Sequence, residues 1–469
     1  MSSFNTGLYG STLGSILGNV NDAFSGKTTG IDVSTVVSEL MVVERQPETV
    51  LQNQQTTINS QVSALTSIGT QLSTLQDSVN SLTDVLGAFS QMTTGSSDSA
   101  IVSATADNTA TAGTHTIVVS KLATTSSSYS DYLPSGTSLA GAQITVNYGS
   151  DPNNPVKTDT INIPSSDATL QQAASSINGG SYGVTASVVT DSTGSRLVLV
   201  SKTSGAAGNL NVSTSATNFT SAAGIDAQLT VDGVPVDSAS NTVSASTSGL
   251  AGVTLSLGAA DVNTPVLLSV EPDTTQASTA IQNFVTAYNA VVSSINSQYT
   301  TDANGNEGVL AGDSMLRTLQ SELLGMASSA SSGAGQYINL LSMGIEMQDD
   351  GTLQINTTSL SQALSSDFSD VQSFFQSTSG WGHLASTQMQ GLTDPTLGPV
   401  AADITGLNST NQSLTNQIND FEVQMTAVQQ QLTTEYSNLN ALLEQYPMLI
   451  QQTAAQLSSL PSNNSNNNG

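Results

Sequence analysis

Apolar residues recur along the chain with two different periods, and the changes between them divide it. From Ile404, steps of three and four land on Leu407, Asn411, Leu414, Ile418, Phe421, Met425, Val428, Leu432, Glu435, Leu439, Leu442, Tyr446, Leu449, Thr453, Gln456 and Leu460. Most of these positions are apolar, and almost everything between them is Gln, Asn, Ser or Thr, which predicts a helix with a coiled-coil seam. At 1.5 Å per residue it would reach roughly 85 Å. Such a stripe is satisfied only by another long helix, from this chain or from a second copy. Pro447 has no amide hydrogen and its ring collides with the preceding turn, which predicts a kink or a break there.

The opposite end follows the same rule. Leu13, Ile16, Leu17, Val20 and Phe24 form one apolar helical face, too short to be stable alone and expected to be loose until packed. Asp32 or Ser34 then caps a short helix carrying Val36, Val37, Leu40 and Met41. Pro47 starts a second helix, whose seam runs through Leu51, Ile58, Val62, Leu65, Ile68, Leu72, Leu75, Val79, Leu82, Leu86 and Phe89.

From about Thr93 to Asp273 the period becomes that of strands. Ala100–Ala104, Thr114–Val119, Gln143–Val146, Val184–Val189, Arg196–Val200, Ala227–Val231, Val253–Leu257 and Val266–Val270 are apolar or β-branched runs bounded by turn residues. Asp232-Gly233 is a hairpin signal. One helix, Leu170 to Ile177, interrupts them. Helical period returns over Ile281–Tyr299, Met315–Met326, Ser359–Ala363 and Asp370–Phe375, with a hairpin turning at Asp349-Asp350-Gly351. The expectation is an α+β multidomain chain with four parts. Residues 1–45 and 400–469 form a terminal coiled-coil-like segment, and 46–92 with 274–399 a helical bundle leg. Two β-rich domains are inserted between the helical parts: 93–129 with 225–273, and 130–224, crossing near Tyr129 and Gly224.

Composition narrows the class. The chain has 469 residues, 35 acidic against 7 basic, and no cysteine. The basic residues are scattered and none follows Arg317, so nucleic acid and anionic membrane surfaces are poor partners. No disulfide framework or thiol chemistry is available. The N-terminal stretch lacks the charged and apolar blocks of a secretory signal, and no span is suited to a bilayer. Export without a cleaved signal fits the Ser-, Thr-, Asn- and Gln-rich composition.

Candidate chemistry is sparse. Gly179-Gly180-Ser181-Tyr182-Gly183 has nucleophile-elbow spacing but follows a helix, and His115 and His383 lack a supporting pattern. Asp302-Ala303-Asn304-Gly305-Asn306 imitates a calcium loop, yet Glu307 stands where that loop needs glycine, so a plain turn is expected. His115 reads as a surface strand residue and Trp381 as a packed loop anchor. No catalytic, metal or cofactor site is expected.

Other residues carry a family resemblance. Gly30-Ile31-Asp32, Leu40-Met41, Glu44-Arg45 and Pro47 resemble the amino-terminal signature of the bacterial flagellar filament cap family, also called hook-associated protein 2. Phe284, Ala287-Tyr288-Asn289, Leu310-Ala311-Gly312-Asp313-Ser314, Leu316-Arg317, Met343-Gly344-Ile345 and Asp350-Gly351-Thr352-Leu353 are similar to its carboxy-terminal region. Leu170 through Ile177-Asn178 to Val184 resembles a small repeat of flagellins and hook-associated proteins. The resemblance implies a non-enzymatic assembly factor without cofactors, exported through the flagellar type III channel. It also implies a homo-oligomeric ring of about five copies at the filament tip. Its partners would be flagellin, the filament junction protein and an export chaperone, for which Ile418 to Leu443 are the candidate surface. Leu13, Ile16, Leu17, Val20, Leu414, Ile418, Phe421, Met425, Val428, Leu432, Leu439 and Leu442 are the expected oligomer or filament contacts. The alternative is an extracellular adhesin whose distal β domains bind glycans.

Overall fold

The computed structural model describes residue 18 and residues 31–134, 136–151, 153–302, 305–331 and 335–459. The face at Leu13, Ile16, Leu17, Val20 and Phe24 lies outside the described residues, as do Gly30 and Leu460. Asp32 accepts from the Thr35 amide at 3.1 Å and starts α1 (Val33–Glu44). Arg45 alone separates it from α2 (Gln46–Thr83), with Pro47 in the first turn where its missing amide costs nothing. Helix α2 buries Leu65, Ile68, Leu72, Leu75, Val79 and Leu82. The expected seam runs too far: Leu86 is exposed, and Phe89 enters the core from a separate 3₁₀ turn, stacked on Phe375 at 5.2 Å.

The strand region contains β1 (Met92–Ser96), β2 (Val102–Ala106), β3 (Gly113–Lys121), β4 (Thr125–Ser130), β5 (Gln143–Tyr148), β6 (Lys157–Asn162), helix α3 (Leu170–Gly179), β7 (Val184–Asp191), β8 (Gly194–Ser204), β9 (Leu210–Ser213) and β10 (Phe219–Ala222). It continues with β11 (Ala227–Val231), β12 (Val234–Ser238), β13 (Thr242–Val243), the short helix α4 (Ala245–Ser248), β14 (Val253–Leu257) and β15 (Asp261–Pro272). Sheets β1-β15-β3-β11-β12 and β13-β14-β2 enclose one core around Val102, Ile117, Val119, Leu229, Leu255 and Leu268. Sheets β10-β4-β8-β7 and β6-β5-β9, with α3, enclose another around Ile144, Val146, Ile177, Leu197 and Leu199. Asp232 and Gly233, at φ 50° and 83°, make the two-residue turn that joins β11 to β12 with the twist a hairpin needs.

Strand β4 has no apolar pattern, because Ser126, Ser128 and Ser130 fill its buried positions. Their hydroxyls are satisfied: Ser126 accepts from Leu210 N–H and donates to Ala222 O, Ser130 accepts from Leu197 N–H, and Ser128 is bonded by Ser221. Tyr129 lies inside this strand, so the first crossing falls ahead of Thr125 rather than at Tyr129. The β3–β11 ladder passes directly into the β4–β10 ladder, tied where Thr124 N–H donates to Ile225 O at 3.0 Å. A Cβ at Gly224 would collide with the Thr124 carbonyl oxygen, so the close passage of the two segments requires glycine there.

The chain then returns to helices. These are α5 (Thr274–Gln298) and α6 (Ser314–Ser328), then the hairpin β16 (Ile345–Met347) and β17 (Leu353–Ile355), then α7 (Thr357–Ser366), α8 (Phe368–Gln376), α9 (Trp381–Thr393) and α10 (Pro399–Ser458). They share one core with α2. Helix α9 was not legible in the sequence, since Gly380, Gly382 and Gly391 dilute its pattern. Gly382 is needed, because a Cβ would strike the Phe375 carbonyl oxygen. Trp381 is fully buried as the first residue of α9 rather than in a loop. It stacks on Phe374 at 5.8 Å, meets Phe284 edge-on at 5.3 Å, and donates its indole N–H to Met326 O at 2.9 Å. Helix α10 runs unbroken through Pro447.

Asp403, early in α10, faces Asp313 at the start of α6. Burial and then the Asp313 carboxyl push it up to about 6, and its Oδ2 is buried without a hydrogen-bond partner. The folded chain holds this proton more tightly than the unfolded chain does. The stabilisation is therefore complete below about pH 4 and is lost as pH rises through the folded value. Asp403→Asn should raise stability near pH 8 by about 1 kcal/mol, discounted for solvent screening, and leave it nearly unchanged near pH 4. Thermal melts at both pH values test this, and equal shifts at both would refute it. Trp381→Ala should cost about 3–5 kcal/mol in urea unfolding, because it removes a ring packed on three others together with its hydrogen bond to the Met326 carbonyl.

Candidate functional site: the α1–α10 clasp

Helix α10 first runs antiparallel to α2. Asn411 Nδ2 donates to Asn59 Oδ1 at 2.8 Å, and Gln55 Nε2 donates to Thr415 Oγ1 at 2.9 Å. These uncharged pairs fix the register of the two helices, as a polar layer does in a coiled coil. Val400 joins the leg core, Ile404 and Leu407 pack on its margin, and Leu414 is buried. The first part of the long stripe therefore closes on its own chain.

The next part is covered by α1. Val37 and Met41 enclose Met425, with Val33, Phe421, Val428, Leu432 and Tyr436 around them. Glu435, expected on the seam, is exposed, and Tyr436 takes its place. A straight helix turns once in about 3.6 residues, so a stripe followed at 3.5 drifts off the contact face within a few heptads. Leu40 and Ile418 are half-buried, while Glu44 and Pro47 are exposed.

Two polar fastenings bracket this small apolar patch. The Ile31 N–H donates to Asn440 Oδ1 at 2.6 Å. At the other end, Arg45 places its guanidinium fork on Glu422, with Nη1 at 2.9 Å from Oε1 and Nη2 at 3.0 Å from Oε2. Nη1 also donates to Glu48 at 2.8 Å, whose side chain is only 9% exposed. The Arg45 guanidinium holds the Glu422 carboxyl below its usual range. The bidentate geometry fixes the angle at which α1 leaves α2 as well as its contact with α10. Glu422, Asn440 and Tyr436 were not singled out by sequence. Arg45 was the available signal, since a cation in a chain so short of them needs an acid nearby.

Beyond the clasp the stripe is open. Leu439, Leu442, Tyr446, Met448, Leu449, Ile450 and Leu457 are all exposed, Leu442 at 64% and Leu457 at 68%. The other signature residues lie in the leg. Tyr288 is buried with its hydroxyl donating to Leu323 O at 3.4 Å, and Asn289 bonds both the N–H and the C=O of Leu353 at 2.7 and 2.8 Å. Asp313 caps α6 by accepting from Met315 N–H. Gly312 has open space around it, and nothing in the structure requires glycine there. Gly179–Gly183 lie at the helix-to-strand turn after α3. His115 bonds Asp232 at 2.8 Å, and Asp302 is engaged by Asn306 across a turn. Among the described residues no helix is long and apolar enough to cross a membrane.

Arg45→Ala should raise amide exchange across Val33–Glu44 severalfold while leaving the leg protected, because it releases one end of a helix held by few apolar contacts. Hydrogen exchange read by mass spectrometry tests this, and unchanged α1 protection would refute it. Met41→Ala should loosen the same segment by about 2–3 kcal/mol.

Comparison with known proteins agrees with this arrangement. The model of the flagellar hook-associated protein 2 N-terminus matches residues 29–126, that of its C-terminus residues 224–447, and the flagellin hook IN motif residues 143–203. The B-type flagellar hook-associated protein 2 of Pseudomonas aeruginosa is 30% identical over 413 residues, covering 80% of this chain and 84% of that one. Flagellar hook-associated protein 2 of Escherichia coli K12 is 29% identical over 474 residues, covering 94% and 98%. The crystal structure of the flagellar cap protein FliD D1-D2-D3 domains from Escherichia coli superposes with a TM-score of 0.56 at 28% identity, covering 74% of this chain and 99% of that one. The helical N- and C-terminal parts with sheets between them match that structure, and the chain belongs to the flagellar hook-associated protein 2 family.

Proposed function

We propose that this chain caps the flagellar filament, standing at its tip as a ring and promoting the ordered insertion of exported flagellin. The observation that carries this reading is the open stripe on α10 from Leu439 to Leu457, an apolar helix face that the lone chain leaves uncovered among the described residues. A monomeric soluble protein gains nothing from it, whereas an assembly factor needs such a face for its partners. Leu414, Phe421, Met425, Val428 and Leu432 are already covered within the chain. Among the described members of the expected contact set, Leu439 and Leu442 stand free, joined by Tyr446, Leu449, Ile450 and Leu457.

In this reading about five copies form the ring, the β domains make the plate, and the paired helices descend as legs to flagellin and the filament junction protein. The outer faces of α10 are Gln, Asn, Ser and Thr, so they impose no fixed ion-pair register on a neighbour. Met448, exposed and flexible, suits repacking against successive partners, whereas Met425 is held under α1. Export proceeds through the type III channel without a cleaved signal. A chaperone that takes the Ile418 to Leu443 surface must first lift α1 from it. The protein acts by shape and assembly rather than catalysis. No observation favours the adhesin reading.

Deleting residues 404–469 in cells whose flagella depend on this protein should abolish motility and release unpolymerised flagellin into the medium. Filaments of normal length would refute the reading. Leu442→Ser with Leu449→Ser should give the same phenotype while leaving α1 protected from exchange, which separates loss of the docking face from loss of the clasp. Light scattering on the full chain and on residues 50–393 should show higher-order assembly only in the full chain.

A further inference from the structure

The sheets of the two β regions end in edges, and an unpaired edge invites a strand from another chain. Most of these edges are short, charged or covered. Strands β9 and β10 have four residues each, β13 two, and β16 and β17 three. Strand β6 carries Lys157 and Asp159, and β12 carries Pro235. The β1 edge is occupied by β2, with the Thr94 and Ser96 hydroxyls donating to the carbonyls of Ala104 and Val102. Strand β7 differs. It has eight residues, no proline and no charge before Asp191, and it pairs with β8 without a bulge.

One side chain occupies this edge. Asn178, at the end of α3, donates its Nδ2 to Ala186 O and accepts Ala186 N–H on its Oδ1, both at 2.7 Å. That is the pair of bonds a neighbouring strand would make. In an antiparallel ladder successive residues point their amide groups to opposite sides, so Val188 and Thr190 face outward with Ala186. Val189 between them is 55% exposed.

We infer that the outer edge of β7 is a pairing surface for a second copy of this chain, and that Asn178 holds it closed. The edge is self-complementary. Two copies related by a two-fold axis at Val188 would set Ala186 opposite Thr190, Val188 opposite Val188, and Thr190 opposite Ala186. With Asn178 bonded to Ala186 in each copy, the first and last of these pairs are blocked. A single pair remains, too few bonds to offset the entropy of association. Asn178 thus substitutes for a strand at a place where strand addition would join copies through the wrong surface.

The test compares the full chain with Asn178→Ala. In the unsubstituted protein the Ala186 amide should exchange about tenfold more slowly than those of Val188 and Thr190. Equal rates would overturn the inference without any variant. In Asn178→Ala the Ala186 amide should lose that protection, and light scattering should show concentration-dependent association beyond that of the unsubstituted chain. Adding Thr190→Pro, which removes an outward donor at an exposed position, should return association to the original level. Association equal to the unsubstituted chain in Asn178→Ala, or extra association that Thr190→Pro leaves intact, would overturn the assignment.

Discussion

The molecule is governed by the length of α10, which exceeds what any single core can cover. A helix of 60 residues presents its apolar stripe to three environments in turn. The leg core and α2 take the first, α1 takes the second, and the third stays exposed among the described residues. Everything else follows from placing that helix. Its antiparallel course against α2 fixes where α1 must lie, because only Arg45 separates α1 from α2. The sheets are inserted between α2 and α5 and so do not interfere with either contact.

The way these helices are held changes along their length. In the leg, large rings and aliphatic side chains are fully buried in one continuous core. Higher on α2 the contacts become Asn59 with Asn411 and Gln55 with Thr415, which specify register more than they stabilise. At α1 only a few apolar side chains remain, and the segment relies on Arg45 and Asn440. Local stability therefore declines from the leg toward the end of α10 that is left uncovered. That is the order expected of a molecule that must keep its frame while exchanging partners at one end.

Much of this was legible in sequence because the helical seams are long. The buried positions of α2 from Leu65 to Leu82 follow directly from period, and so do those of α5. The β-branched strands around Ile117, Leu199 and Leu255 are equally plain. Reading failed where polar residues do the work of apolar ones. Strand β4 is serine-filled, and its buried hydroxyls find partners only once β8, β9 and β10 are in place, so no local signal marks it. Helix α9 is obscured by its glycines, of which Gly380 and Gly382 allow close packing on α8. The shift from Glu435 to Tyr436 is a matter of helical pitch accumulating over distance. For the site, the stripe itself was visible, but its division into covered and open lengths depends on α1, and the fork between Arg45 and Glu422 joins residues far apart in sequence.

The ribbon that links the two β regions also has a mechanical meaning. The β3–β11 ladder continues into β4–β10 with Thr124 and Ile225 bonded at the joint, so the inserted domain is attached by two strands side by side rather than by one tether. Two attachments side by side resist twisting, and a pull along them is shared by both strands. Gly224 allows the segments to approach closely enough for that sharing. A domain so mounted transmits torque and drag to the sheet below it instead of swinging freely.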